Sequence, residues 1–505
     1  MSERGMWWQR PALLWLAVAL SVVPLLWPQI PPLTDLPGHI GRYRVMMGTD
    51  ADVLGQWYRF EWRLVGNLGV DLLVYGLAPL IGLEPAVKLA VIATVALFAA
   101  GTLWVSREVH GAVTPFAWFA LPLAYAFPLH FGFVNYWLAM ALALNGLALW
   151  LRLGRQGRIG LRAALFVPIA CLVWLTHLMG WAALCLMIFP AEVARQREAG
   201  RRWPEAVLRG GIGCLPLALP MVLLVAWRSD SGSGMTGRYF ERKLDWLVTA
   251  LRDRWMPWDV ASGVLLIGLI VVGLRDRHIA RSWMLTGVAA LFALAYLLLP
   301  FVLLNSAYAD MRLAPFVLLF ALLAMRPSAE MPSRVLGVLA LLGAAFFVAR
   351  TAGTTISFWQ FDRSWQRQLV ALDHIPRGAR LLTLVGEPCR MDWARSRLVH
   401  LPSIALARRA AYANDQWLID GSALLTVTAP QMRPFVNDPS QMVLPAGCRS
   451  ADKRRIDVAL AAIPRRSFDY LWLIDPPAHD ARLLGGMAPV WREGTSVLYR
   501  IERQR

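Results

Sequence analysis

The chain has 505 residues, of which 57% are hydrophobic and only 17% charged, and it carries a net charge of +18. A soluble surface needs about 25% charged residues, so a string of soluble domains is excluded. The basic residues fall in short clusters between apolar blocks, which fits the connectors of a membrane protein and not a nucleic-acid surface.

The apolar blocks are each about 20 residues long, and lipid accepts such segments only as helices, because every backbone N–H and C=O must be bonded within the segment. Arg4 and Arg10 precede the block 11–30, and Pro28, Pro31 and Pro32 follow it with no small-residue cleavage site. The expectation is an uncleaved first span with a cytoplasmic amino terminus.

The block 68–83 contains Asp71, Gly76 and Pro79. Read as an interfacial helix on the outer face, it brings the Arg clusters at 152–162, 195–202 and 275–281 to one side, as the cytoplasmic bias of basic residues requires. The spans are then expected at 11–30, 86–105, 115–128, 134–151, 163–179, 181–193, 208–227, 260–274, 285–304, 313–325 and 335–348. The fold class is an α-helical polytopic membrane protein of about eleven spans, with a membrane domain over 1–350 and a small extracytoplasmic α/β domain over 351–505.

Three outer segments follow from this parity: 31–67, 228–258 and the tail from Thr351. In the second, Phe240, Leu244, Leu247, Val248 and Leu251 recur at helical spacing among charges, which predicts an amphipathic helix at the outer interface. In the tail, SWQRQLVALDHI reads as a helix, ARLLTLVG and DYLWLID as strands, and PVWREGTSVLYRIER as a hairpin turning at Glu493–Gly494.

Cys171, Cys185 and Cys214 lie in apolar stretches and read as small hydrophobes. No Cys/His spacing suits a structural zinc site. Cys389 and Cys448, the two cysteines of the tail, are expected to pair in an oxidising compartment.

The most suggestive polar cluster is TDLPGHIGRYR, with Asp35, His39, Arg42 and Arg44 directly after the first span. A carboxylate at this boundary can act as a general base on a hydroxyl or coordinate a divalent cation. It can equally cap a helix beginning near Pro37. Asp71 is a costly polar group in an apolar helix. His130 and Asn135 lie at one short outer turn, and His177 at another. Arg312, at the entry to an apolar span, suits bidentate capture of a phosphate, and Arg238 and Arg242 could contact anionic headgroups or a lipid-linked phosphate. There is no phosphate loop, HExxH, G-x-S-x-G or dinucleotide fingerprint.

Taken together, Asp35 after the first span, an interfacial helix before the second, and Arg312–x–x–Pro315 near the end of the membrane domain resemble the GT-C superfamily of polyprenyl-phosphate-sugar-dependent glycosyltransferases. That resemblance implies a lipid-linked sugar as donor, a glycan, lipid or protein as acceptor, Asp35 as catalytic base, and inversion at the anomeric carbon. It places the chain in the inner membrane of a bacterial cell, with the tail in the periplasm. A transporter or flippase of lipid-linked glycans would need a polar path across the bilayer, whereas these span interiors are almost free of charge. A non-catalytic assembly protein of cell-envelope glycan synthesis is the third reading.

Overall fold

The computed structural model describes residues 6–226, 240–303, 306–390, 392–418 and 424–502. The chain divides into two compact units, one formed by Met1–Trp27, Leu64–Val70 and Leu89–Ile356, the other by Pro28–Arg63, Asp71–Lys88 and Ser357–Arg505.

The first unit is helical. Among the described residues, six helical segments are long and apolar enough to cross a membrane: Leu83–His110, Val134–Arg155, Ile159–Thr176, Leu178–Glu198, Met256–Arg275 and Ser333–His374. Four shorter apolar helices, Pro11–Leu25, Gly69–Ile81, Trp283–Leu298 and Ala314–Ala324, accompany them. The chain is thus an integral membrane protein, and among the described residues six helices have full spanning length.

Proline divides two of the blocks expected to span. The block 115–128 is a helix Pro115–Ala120, a 3-10 turn Leu121–Tyr125 and a second short helix Phe127–Phe131. Pro122 and Pro128 cannot donate to a helix and clash with the preceding turn. The block 208–227 is likewise divided into Trp203–Gly213, Leu215–Leu217 and Leu219–Ala226, with Pro216 and Pro220 at the joints. By contrast, the pair expected at 163–179 and 181–193 forms two full helices, Ile159–Thr176 and Leu178–Glu198. Their turn falls at His177 and not at Gly180, because the His177 side chain accepts from the Met179 N–H and caps the second helix.

Gly69–Ile81 has two faces. Val70, Asp71 and Val74 are buried, whereas Leu72, Leu73, Tyr75, Leu80 and Ile81 are exposed, Leu80 by 78%. At 13 residues it is too short to cross a bilayer alone. A helix with one apolar outward face and one packed face suits a membrane interface.

The second unit is built on a six-stranded sheet. Its strands are β1 Leu381–Gly386, β2 Met442–Leu444, β3 Arg454–Arg455, β4 Tyr470–Ile474, β5 Met487–Glu493 and β6 Ser496–Ile501. The spatial order is β3-β2-β1-β4-β6-β5. β3, β2, β1 and β4 run parallel, and the β5–β6 hairpin closes the sheet antiparallel. Central parallel strands are covered on both faces, which is why LWLI is an unbroken apolar run and LLTLV is interrupted only by the buried Thr383. From β1 the chain moves outward through β2 and β3, then returns to the other side of β1 for β4. The strand order therefore reverses between β1 and β4.

The expected domain boundary at residue 350 differs from this division. The helix Ser333–Leu369 runs through that position without a break. The first outer loop also folds with the tail: Tyr58–Phe60 pairs antiparallel with Leu425–Val427, and Leu54, Trp57 and Tyr58 are buried in one core with Leu382, Leu384 and Leu473. These loop side chains are too apolar to remain in water, and the tail core covers them. Cys389 and Cys448 are joined by a disulfide with Cα atoms 5.4 Å apart, linking the loop after β1 to the loop after β2.

Candidate functional site

The candidate site lies in the second unit, where the helix Leu36–Met46 meets the segment 397–418, which holds the short helix Ile404–Arg409. The GHIG spacing of this helix explains the close fit. A Cβ at Gly38 would fall 2.4 Å from the Trp417 ring, and one at Gly41 would fall 2.9 Å from Gln416 Nε2. Two glycines one turn apart therefore give the helix a flat face for that segment. Gln416 Nε2 donates to the Gly38 carbonyl at 3.1 Å and to Ser403 Oγ at 2.6 Å, locking the contact.

Asp35 occupies the residue before this helix, yet its side chain makes no capping hydrogen bond. Its Oδ1 instead lies 3.9 Å from His400 Nε2, and Asp438 Oδ1 lies 4.0 Å from the same nitrogen. His400 Nδ1 is 3.0 Å from the Asp415 carbonyl. A carbonyl can only accept, so Nδ1 carries the proton and Nε2 of the neutral ring presents a lone pair. Burial pushes the His400 pKa below the ordinary imidazole value, partly opposed by Asp438, which keeps the ring neutral near pH 7. Two carboxylate oxygens thus lie about 4 Å from the imidazole lone pair, an arrangement suited to a ligand that brings O–H donors.

The surrounding groups fix this geometry. Asp438 Oδ1 accepts from Gln441 Nε2 at 2.8 Å. Asp415 accepts from Ser403 N and Oγ at 2.9 and 2.7 Å, and burial raises its pKa to about 8. Trp417 lies against both imidazoles, with ring centroids 4.4 Å from His400 and 5.0 Å from His39. Asp35, His39 and Trp417 are partly exposed, so the cluster opens to a ligand.

Two other candidates of this unit pair with each other. Arg42 Nη2 is 2.7 Å from Asp71 Oδ1, and both side chains are nearly or fully buried. Burial lowers the Arg42 pKa, but Asp71 and Tyr43 outweigh it, so the guanidinium stays charged.

The remaining candidates belong to the first unit. Asn135 Oδ1 accepts from Val70 N at 2.6 Å and its Nδ2 donates to the Asn67 carbonyl at 2.9 Å, so it clamps the 64–70 segment. His130 Nδ1 lies 3.6 Å from Asp253 Oδ1, both buried. His177, the helix cap, packs edge-on against Tyr136 with centroids 5.5 Å apart. Arg312 stands just before the helix Ala314–Ala324, which has Pro315 in its first turn. Its guanidinium lies 4.1 Å from the Phe133 ring centroid, and Nη2 donates to Ser306 Oγ at 2.9 Å. Asp310, the neighbouring acid, pairs with Lys243 at 3.1 Å. Arg242 is exposed, on the amphipathic helix Phe240–Val248, and Arg238 lies outside the described residues.

Sequence reasoning did not single out His400, Asp438, Trp417, Asp415, Ser403 or Gln416. The signal present was compositional: NDQW and NDPSQ are polar runs within an otherwise apolar tail. Among the described residues, no group of three or more His, Cys, Asp or Glu side chains has the spacing to hold a metal ion.

No family model matches the chain, and no curated protein shows significant similarity to it. A similar solved structure is that of the arabinofuranosyltransferase AftD from Mycobacteria, with 17% identity, a TM-score of 0.48 and 98% of this chain covered. The chain spans 40% of the length of that structure.

Proposed function

We propose that this membrane protein transfers a sugar from a polyprenyl-phosphate donor to a hydroxyl-bearing acceptor outside the cytoplasm, with inversion at the anomeric carbon. The observation that carries this reading is that Asp35 Oδ1 and Asp438 Oδ1 lie 3.9 and 4.0 Å from His400 Nε2. Such a cluster receives a hydroxyl and can remove its proton.

In this reading Asp35 takes the proton of the acceptor hydroxyl as its oxygen attacks the anomeric carbon. The bond from that carbon to the phosphate oxygen breaks, and polyprenyl phosphate leaves with the bonding electrons. His400 Nε2 and Asp438 accept from neighbouring hydroxyls of the acceptor and so orient it, and Trp417 offers an apolar face to the sugar ring. On side-chain chemistry alone, Arg312, Arg238 and Arg242 suit binding of a phosphate or anionic headgroup. His39 positions Trp417. The Arg42–Asp71 pair, Asn135, His130 and His177 shape the framework. The amino terminus is cytoplasmic and the second unit extracytoplasmic, in the inner membrane of a bacterial cell.

The test is an assay of the purified chain in detergent against a panel of polyprenyl-phosphate sugars with mixed glycan and lipid acceptors. Release of polyprenyl phosphate coupled to formation of a new glycoside supports the reading. Movement of intact lipid-linked glycan across proteoliposomes without bond cleavage would replace it with transport.

A further inference from the structure

In a doubly wound sheet, ligands bind beyond the carboxyl ends of the strands where the strand order reverses. Here that point lies between β1 and β4, and a cavity of about 310 Å³ occupies it. This is near the lower end of the range of roughly 300–1,000 Å³ usual for small-molecule sites. Gly386, at the end of β1, admits the close approach, since a Cβ there would fall 2.0 Å from the Asp475 carbonyl oxygen.

The lining chemistry excludes the phosphate that such crevices often hold. Glu387, Asp392 and Asp475 face the cavity against a single guanidinium, Arg395. β1 also runs into the loop Glu387–Pro388 and not into a glycine-rich helix start, so backbone N–H groups are not gathered for an anion. Ionised carboxylates only accept, whereas Arg395 and Ser396 donate. Neutral vicinal hydroxyls satisfy both kinds of group.

These side chains are held in place. Lys453 Nζ lies 3.3 Å from Glu387 Oε2, and Thr495 and Ser496 hydroxyls donate to Asp475 Oδ1, each at 3.3 Å. The Cys389–Cys448 disulfide ties the loop bearing Glu387 and Arg395 to the loop after β2, whose Pro445 forms another part of the wall. Such cross-linking lowers the entropy lost on binding. The first of these loops continues to His400, whose imidazole feels the charges of both Arg395 and Glu387.

We propose that this crevice binds a neutral saccharide of one or two rings and is the acceptor subsite beside His400. Its role as an acceptor subsite rests on the transferase reading; the binding itself does not.

The experiment is saturation-transfer NMR on the full chain in detergent. The probes are methyl glycosides of mannose, galactose and arabinose, with AMP and inorganic phosphate as anionic probes. At least one glycoside should bind saturably. Glu387→Gln and Arg395→Ala should weaken that binding about tenfold, as expected for loss of a charge-assisted hydrogen bond. Ser396→Trp, a substitution at an exposed position that fills the crevice without removing a charge, should abolish it and provides the test if Arg395→Ala does not fold. Absence of glycoside binding, equal binding in the crevice variants, or preferential binding of AMP or phosphate overturns the assignment. Retained transfer in Asp35→Asn would remove the general-base role and leave glycoside binding to stand or fall by its own result.

Discussion

Asp35 Oδ1 and His400 Nε2 lie 3.9 Å apart although 365 positions separate them in the chain, and the imidazole presents its lone pair to the carboxylate. This sets a pH dependence. Above its depressed pKa His400 is neutral and leaves Asp35 basic. As pH falls through that depressed pKa, below the ordinary imidazole range, the ring gains a proton on Nε2, donates to Asp35 and quenches its basicity. Transfer activity should therefore decline on the acid side, and His400→Asn should displace that limb in a pH–rate profile. An identical acid limb in the variant would show that His400 does not govern the base.

Asp415 gives a stability prediction of known sign. Its folded pKa of about 8 lies above the unfolded carboxylate value of about 3.9, so between these values the folded state binds more protons. Stability contributed by this group is present at low pH and lost as pH rises toward 8. Asp415→Asn, which stays neutral, should match the parent chain near pH 3, below the unfolded carboxylate value, and melt increasingly higher than it as pH rises to 9. A melting difference independent of pH would contradict the buried, protonated state.

The Arg42–Asp71 ion pair is expected to be structural. Removing one partner leaves a buried charge uncompensated, at a cost of about 3–5 kcal/mol, whereas replacing both with apolar residues of similar size is close to neutral. Asp71→Leu alone should lower the melting temperature sharply, and Arg42→Met with Asp71→Leu should restore it along with activity. A double variant that melts normally and is inactive would return these residues to the substrate.

The legible parts of the fold were those with a local period. The tail strands at 381–386 and 470–474, the closing hairpin and the Phe240–Val248 helix follow from alternation or helical spacing. Asp35 was legible from its place after the first apolar block. Its partners were not, because His400 and Asp438 sit on aperiodic loops brought together by the sheet. Pro122, Pro128, Pro216 and Pro220 divide apolar blocks that composition alone reads as continuous helices. The backbone contacts of Asn135 and His177 were not legible, because an isolated polar residue in an apolar context carries one signature whether it binds ligand or backbone.

The Cys389–Cys448 bridge offers a chemical test of compartment. It closes a loop over a sequence separation of 59 residues, for which chain entropy gives on the order of 4 kcal/mol. Protein purified without reductant, unfolded and alkylated, should show Cys171, Cys185 and Cys214 modified and the two tail cysteines protected. Recovery of both tail cysteines as alkylated peptides would contradict an oxidising location for the second unit.

The most direct test is the initial rate of sugar transfer by the parent chain and by Asp35→Asn, measured with the same polyprenyl-phosphate sugar. The amide is nearly isosteric but cannot take the proton, so the rate should fall by about 10²- to 10⁴-fold while folding and donor binding are retained. Turnover at the parent rate in Asp35→Asn would contradict the assignment of Asp35 as the base.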